Sequence, residues 1–206
     1  MNKIIVDFEM NCAKEIEIIE IGAVMLNSKN EIISEYSSYV APTTCSITKQ
    51  TTKLTGITSN HVSHSSTLQE VLTNFLDWCG SFNYEIYSWS MTDYTQLHNE
   101  TSSKNITDPR LNYMLSNWHD YQREFSDLIN YQGQLSLKNA ISAIDSTFKG
   151  KQHSALADAQ NTASLFFVAH NDNQLHKLEI IKEWFTTKSI SNTIGDLFPN
   201  LTLLSS

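Results

Sequence analysis

The 206-residue sequence lacks the marks of a secreted, membrane-spanning or duplex-coating protein. It has three widely spaced cysteines, Cys12, Cys45 and Cys79, and no CxxC pair, which argues against a disulfide framework and a zinc site. No apolar run approaches the ~20 residues that a membrane span requires, and no signal-peptide pattern precedes the first apolar segment. We therefore expect a protein of a reducing, cytoplasmic compartment that has no membrane partner.

Positive charge is also scarce. Lysine and arginine together number 14 against 22 acidic residues, which gives a formal net charge of −8. Because nonspecific duplex binding depends on basic side chains at the phosphates, the chain is not expected to coat long nucleic acids. A nucleic acid would have to bind in a local site, where bound cations offset the acidic groups.

The segment from Lys3 to Cys12 gives the first indication of chemistry. Its apolar run leads directly into Asp7, and Glu9 follows two positions later. On a β-strand both carboxylates then point to one face, while Phe8 points to the other. Neighbouring carboxylates at the end of a buried strand repel each other and lose hydration unless a proton or a cation lies between them. The pattern therefore predicts a divalent-metal site at this strand end.

Hydrophobic periodicity predicts a mixed α/β domain. Apolar alternation indicates strands over Ile16–Leu26 and Ile32–Val40, which extend the first strand into an antiparallel run of three. The polar stretch Ala41–Ser66 is expected to be a long loop. Two short strands are predicted after it, at Glu85–Trp89 and around Met114–Trp118. The predicted helices are Thr67–Cys79, one that begins at Asp93, one after Asp120, Ser136–Phe148, Ala155–Ala169 and Gln174–Phe185.

Two later segments supply further candidate residues. Asp93 follows the short strand that ends at Trp89, and Asp158 follows His153 by five positions. Five residues turn a helix by ~500°, so these two side chains share no helix face. His153 is therefore placed in the turn before a helix, with Asp158 one turn inside it. The helix N-terminus would then direct its partial positive charge toward the site.

Each acidic candidate has a structural alternative. The Asp7 and Glu9 pair is compatible with a surface pair or a helix cap, and Asp93 is compatible with capping its own helix. Asp120 and Asp127 are close enough in sequence to be rivals of Asp93 for the third acidic position.

Five sequence pieces, in this order, resemble the DEDDh 3′–5′ exonucleases. They are DFE at Asp7–Glu9, EIIEIGAV at Glu17–Val24, LTGI at Leu54–Ile57, the Asp93 segment, and HxxxxD at His153–Asp158. The first two pieces are most similar to the Eri-1-like and KapD-like exoribonucleases. The resemblance implies a ribonuclease H-like mixed sheet of about five strands, with an exonuclease domain over 1–188 and a C-terminal tail over 189–206.

The resemblance also implies roles for individual residues. Residues matching Asp7, Glu9, Asp93 and Asp158 hold two divalent ions, Mg²⁺ or Mn²⁺, and the residue matching His153 is the general base. Hard carboxylate oxygens suit these ions, and a near-neutral imidazole can take a proton from water. The implied substrate-binding residues are Phe8, Glu9, Met10, Leu54, Thr55, Trp89 and His153.

The expected reaction is release of nucleoside 5′-monophosphates from a single-stranded 3′ end, with RNA as the expected substrate. Two alternatives stay open. The catalytic set does not distinguish sugars, so a DNA 3′–5′ exonuclease of repair or proofreading type is one. A catalytically inactive nucleic-acid-binding adaptor on the same fold is the other. The presence of all five catalytic residue types favours an enzyme.

Overall fold

A computed structural model describes residues 1–80, 82–144, 146–171, 176 and 178–182. The predicted helix Gln174–Phe185 falls only partly within these ranges, with residues 178–182 helical, and the tail over 189–206 lies outside them. The described strands are β1 (Asn2–Cys12), β2 (Ile16–Leu26), β3 (Ile32–Tyr39), β4 (Tyr84–Ser88) and β5 (Trp118–Asp120). The described helices include α1 (Lys49–Thr55), α2 (Ser59–Val62), α3 (Leu68–Cys79), α4 (Thr92–Ser103), α5 (Pro109–Ser116), α6 (Tyr121–Leu128), α7 (Leu137–Ala143) and α8 (Ala155–Ala169).

The strands form one mixed sheet in the order β3-β2-β1-β4-β5. Both β1–β2 and β2–β3 pair antiparallel, whereas β1–β4 and β4–β5 pair parallel. This arrangement confirms the predicted α/β class, with five strands of which the first three are antiparallel. Because β1 and β4 are parallel neighbours, their carboxyl ends lie at the same end of the sheet, the position where parallel α/β sheets bind ligands.

Each face of the sheet has its own core. Ile5 of β1 packs among side chains from α6, α7 and α8, whereas Ile4 and Val6 pack against α3, α4 and α5. Side chains alternate along a strand, so Asp7 and Glu9 point to the same face as Ile5, the face covered by α8. None of the helices in the described ranges is long and apolar enough to cross a membrane.

The prediction of a continuous loop over Ala41–Ser66 was wrong, because α1 and α2 form within it. Thr48 caps α1 by accepting a hydrogen bond from the Thr51 N–H at 3.1 Å, and Gly56 ends it in the left-handed region with φ of 80°. The sequence of α1, KQTTKLT, has almost no apolar face, so periodicity could not reveal it. The capping residues at both ends were the available signal.

The short strand predicted around Met114–Trp118 is present, but its predicted bounds were wrong. Met114 lies in α5, and the strand β5 begins only at Trp118. Asp108 caps α5 by accepting a hydrogen bond from the Arg110 N–H at 2.8 Å, and Pro109 occupies the first turn, where its missing N–H costs nothing. The Asp-Pro pair, which indicates the start of a helix, was therefore a better guide than the short apolar run, which indicated a strand.

Candidate active site

The candidate site lies near the carboxyl end of β1. Glu9 pairs across the sheet with Glu20 of β2, and Asp7 pairs with Gly22. Glu9 and Glu20 are each only 6% exposed. Two carboxylates therefore lie side by side on a buried ladder, which is unfavourable unless hydrogen bonds, protons or a cation offset their charge.

Asp93 reaches the same strand from α4. It lies in the first turn of this helix and is 6% exposed. Its Oδ1 accepts a hydrogen bond from the backbone N–H of Phe8 at 2.9 Å. Because Phe8 lies between Asp7 and Glu9, this bond holds the third acid beside the first two.

The rival acids have other roles. Asp120 caps α6 by accepting a hydrogen bond from the Arg123 N–H at 3.1 Å. Asp127 is exposed on the same helix. Of the three acids considered for this position, Asp93 is the one bonded to β1.

The N-terminus of α8 brings the remaining two candidates. Asp158 lies in its first turn, and His153 precedes the helix with a left-handed φ of 61°. The backbone N–H of His153 donates to Asp158 Oδ2 at 3.4 Å. A left-handed backbone costs a residue with a side chain roughly 1–3 kcal/mol, and such positions concentrate at functional sites.

These elements converge on one point. The potential ligand atoms of Glu9, His153 and Asp158 all lie within 4.8 Å of one another. Asp7 and Asp93 lie beside this group, close enough for their charges to raise the pKa of Glu9 or of each other. The structure therefore brings together all five residues proposed from the sequence as catalytic.

Gly22 allows α8 to come this close. A Cβ at this position would overlap the backbone nitrogen of Leu156 and the carbonyl carbon of Ala155. The first turn of α8 thus lies directly on the backbone of β2, next to the strand that carries Asp7. Any larger residue would separate Asp158 from the acids of β1.

Burial and mutual repulsion raise the pKa of each of these carboxyls. Burial first, then Asp158 and Glu20, raise the pKa of Glu9 to about 8. Burial likewise raises the pKa of Asp93 to about 7 and that of Asp158 to about 6. The pKa of Asp7 is raised well above its ordinary value by burial and then by Asp93. At neutral pH such a cluster retains protons or binds a cation.

One oxygen in the cluster has no protein partner. Asp158 Oδ1 is buried and accepts no hydrogen bond from the described residues. A buried acceptor without a partner is destabilising and calls for a ligand, an ion or a water. Glu9 and Asp158 offer hard oxygens and His153 an imidazole nitrogen, so these three residues could together hold a divalent cation.

His153 has the properties of a proton acceptor. The residue is exposed, while partial desolvation and then the charge of Lys151 lower the pKa of its imidazole. The lowered pKa favours the neutral form of the ring, which has a nitrogen lone pair available for a proton from water.

Two of the residues proposed for substrate binding place their rings in the core. Phe8 is 5% exposed and packs edge-on to Trp118, with ring centroids 6.1 Å apart. Trp89 is buried among aromatic side chains and donates its indole N–H to the Leu135 carbonyl at 3.1 Å. The backbone of Phe8 contacts the acidic cluster through Asp93, but the Trp89 ring is committed to core packing.

The other proposed substrate residues lie at the surface or near it. Leu54 is half exposed on the last turn of α1, and Met10 is partly buried. Thr55 is buried, and its carbonyl accepts a hydrogen bond from Lys151 Nζ at 2.8 Å. This bond links the end of α1 to the turn that carries His153, so the two sides of the site are held together.

Sequence reasoning missed Glu20 and Asn11 as individual residues. Glu20 Oε2 accepts a hydrogen bond from the Ala155 N–H at 3.1 Å. Asn11 is fully buried, and its Oδ1 accepts from the Thr48 N–H at 3.1 Å, which fastens the start of α1 to β1. A polar residue inside an apolar strand pattern was the available signal for both.

Comparison with known proteins places the fold. A sequence profile described as Exonuclease (RNase_T) matches residues 4–166. The chain is similar to ERI1 exoribonuclease 2 of Danio rerio, with 31% identity over 79% of this chain and 34% of the relative. It is also similar to the 3′-5′ exonuclease Snipper of Drosophila melanogaster, with 26% identity over 85% of this chain and 71% of the relative. The chain spans only about a third of the length of the ERI1 exoribonuclease 2 relatives.

Among solved structures, the nuclease domain of 3′hExo, a DEDDh family member bound to rAMP, superposes with a TM-score of 0.71. Its identity is 23%, and the match covers 81% of this chain and 90% of that domain. The likeness confirms the ribonuclease H-like fold expected from the sequence.

Proposed function

The chain belongs to the exonuclease (RNase_T) family, and we propose that it is a divalent-metal-dependent 3′–5′ exonuclease that releases nucleoside 5′-monophosphates, preferentially from single-stranded RNA. The observation that supports this best is the convergence of Glu9, His153 and Asp158 within 4.8 Å. An acidic cluster that binds cations beside an imidazole would suit the hydrolysis of a phosphodiester, because a water must lose a proton while negative charge develops on the phosphate.

We assign the cation ligands to the four acids that surround this point, Asp7, Glu9, Asp93 and Asp158. Two Mg²⁺ or Mn²⁺ ions at these carboxylates would activate the attacking water and stabilise the leaving 3′ oxygen. Hard carboxylate oxygens are the ligands that Mg²⁺ and Mn²⁺ prefer. Asp158 Oδ1, which has no hydrogen-bond partner among the residues that the structure describes, is the oxygen best prepared for coordination.

His153 is assigned as the general base. Its lowered pKa keeps the imidazole unprotonated, and its exposed position before α8 leaves the ring accessible to a bound water. The bond from its backbone N–H to Asp158 fixes the residue relative to the cation ligands. Proton transfer by a positioned histidine typically contributes about 10²–10⁴-fold to the rate.

The terminal nucleotide is proposed to lie between the end of β1 and the end of α1. Leu54 is an exposed apolar side chain that can contact the face of any base. Glu9, Met10 and Thr55 would contact the sugar and the base through side chain or backbone. The preference for RNA is supported by the ERI1 exoribonuclease 2 relatives and by the rAMP bound to the structural neighbour.

The decisive experiment uses matched single-stranded RNA and DNA oligonucleotides with a 5′ label. With Mg²⁺ or Mn²⁺, we expect the labelled strand to shorten stepwise from the 3′ end, nucleoside 5′-monophosphates to accumulate, and RNA to be degraded faster than DNA. Chelation of the metal should stop the reaction.

An RNA with a blocked 3′ end is the matched control and should resist degradation. Faster degradation of DNA would identify the DNA exonuclease alternative. Binding of both strands without release of any nucleotide, at every metal concentration, would identify the adaptor.

A further inference from the structure

We propose that Glu20, which has no assigned role, is a positioning residue that caps α8 from the neighbouring strand and thereby sets where His153 and Asp158 stand relative to Glu9. The inference rests on the proposed function of this site. The inference adds to that function a residue that need not touch substrate or metal.

The start of α8 has no cap of its own. Ser154 occupies the N-cap position, but its side chain makes no capping hydrogen bond. By contrast, the residues at the N-cap positions of α1, α3 and α7 each accept a hydrogen bond from a backbone N–H of their own helix: Thr48, Thr67 and Ser136. The first N–H groups of a helix have no partner within the helix, so a buried N-terminus needs an external acceptor.

Glu20 supplies that acceptor. Its Oε2 lies 3.1 Å from the Ala155 nitrogen in a buried hydrogen bond. A carboxylate at this position also interacts favourably with the positive end of the helix dipole. The hydrogen bond lowers the pKa of Glu20, although burial dominates and leaves that pKa raised overall.

The position of Glu20 in the sheet makes this cap consequential. Glu20 lies directly opposite Glu9, and Gly22, two residues further along β2, allows the backbone of α8 to contact the strand. Glu20 and Gly22 of β2 therefore together determine where the first turn of α8 lies against the sheet. His153 precedes Ala155 by two residues and Asp158 follows it by three, so a shift at Ala155 moves both.

The alternative role for the Glu20 carboxylate is that of a direct metal ligand. Substitutions at this position distinguish a helix cap from a metal ligand. Glu20→Gln keeps an acceptor oxygen for Ala155 but removes the negative charge that a ligand needs. Glu20→Ala removes both. Glu35→Ala is the matched control, because Glu35 of β3 also accepts a hydrogen bond from α8, from Gln160 Nε2 at 2.8 Å, but in an exposed position one turn beyond the site.

Three measurements on the full chain test the proposal. They are the amide chemical shift of Ala155 by NMR, Mn²⁺ affinity by electron paramagnetic resonance, and kcat and KM on single-stranded RNA. For Glu20→Ala we expect the Ala155 amide to move upfield, and Mn²⁺ affinity and kcat to fall about 10–100-fold, the range for residues that orient metal ligands, while KM stays within about threefold. Glu20→Gln should stay within about threefold of the unsubstituted protein, and Glu35→Ala should change none of the three.

Each remaining outcome has a definite meaning. Equal losses in Glu20→Gln and Glu20→Ala would overturn the proposal in favour of a metal ligand. An unchanged Ala155 shift and Mn²⁺ affinity in Glu20→Ala would overturn the cap itself. If the unsubstituted protein shows the Ala155 shift and binds Mn²⁺ but releases no nucleotide, the proposed function fails while the cap stands.

A variant that restores the cap protects the test from misfolding. If Glu20→Ala unfolds, Ser154→Asn in the same chain should restore a local N-cap, and with it the fold and Mn²⁺ binding. Failure of the double variant to recover either property would contradict a capping role.

Discussion

Glu17 and Glu20 lie three residues apart on β2 and belong to two buried acidic clusters of opposite character. Glu17 is joined by Lys104, whose Nζ lies 3.0 Å from Glu17 and 2.7 Å from Glu100. Thr43 and Thr44 add hydrogen bonds from backbone and hydroxyl groups. Burial alone would raise the pKa of Glu17, but the bonds from Thr44 and Thr43 outweigh it and lower that pKa to about 2.

The cluster around Glu9 receives no comparable compensation. Its acids have raised pKa values, and one carboxylate oxygen of Asp158 lacks any partner among the described residues. The chain thus neutralises one acidic cluster with its own side chains and leaves the other for cations from solution. The cluster around Glu17 stabilises the fold, whereas the cluster around Glu9 is expected to destabilise the metal-free protein and to bind cations. Four experiments test that contrast.

The largest effect is expected for Asp7→Ala. Removal of a carboxylate from the open cluster should lower nucleotide release at least about a thousandfold, because the metal loses a ligand at the reacting phosphate. The metal-free variant should unfold at no lower temperature than the unsubstituted protein, since a repulsive charge is removed. Unchanged turnover would refute the assignment of Asp7 as a ligand.

His153→Ala should have the second largest effect. Turnover is expected to fall about 10²–10⁴-fold with strand affinity nearly unchanged, because the imidazole acts on a proton and not on substrate binding. Single-turnover rates and equilibrium binding of a 3′-blocked RNA measure the two separately. Losses of similar size in both would indicate a binding role instead.

Lys104→Met tests the neutralised cluster. This change removes the cation shared by Glu17 and Glu100, and it should destabilise the fold by about 2–3 kcal/mol, below the 3–5 kcal/mol expected for a fully buried pair because Lys104 is 24% exposed. Chemical denaturation measures this loss. Below the unfolding transition, turnover should be retained. Normal stability with impaired turnover would reverse the proposed contrast.

The fourth experiment measures how the stability of the metal-free protein depends on pH. Glu9 has an ordinary pKa of 4.5 and a native pKa of about 8, so it takes up a proton on folding between these values. Its contribution therefore falls as pH rises from about 4.5 to 8, by up to about 1.4 kcal/mol per pH unit for each proton released. Glu17 acts in the opposite sense, since its stabilisation is complete above pH 4.5 and is lost as pH falls through about 2.

Denaturation in the presence of a chelator, from pH 5 to 8, measures this slope. Saturating Mg²⁺ or Mn²⁺ should flatten it, because the bound cation replaces the proton. A metal-free protein that becomes more stable over this interval would contradict the assigned repulsion among the acids.

Sequence patterns predicted most of the sheet because strand alternation is a local signal. The strand Ile16–Leu26 and the helix Ala155–Ala169 have the predicted bounds. The parity of Asp7 and Glu9 placed both on the α8 face, since alternation along a strand follows directly from backbone geometry.

Contacts between distant segments were not predictable in the same way. The bond from Phe8 to Asp93 joins residues 85 positions apart, and that from Ala155 to Glu20 joins residues 135 positions apart. Neither leaves a periodic trace in the sequence. Trp89 was predicted to bind substrate, but its ring lies in the core. An aromatic residue at a strand end has the same local sequence pattern whether it faces a cleft or fills a core.

Gly22 gives this architecture a requirement that would govern any transfer of the site to another scaffold. A designer who copied only the acids and the histidine would reproduce the donors but not their spacing, since a single methyl group on β2 would hold α8 away from the strand. Conversely, Gly22→Ala is expected to give an inactive protein that retains every donor but holds Asp158 and His153 away from the acids of β1.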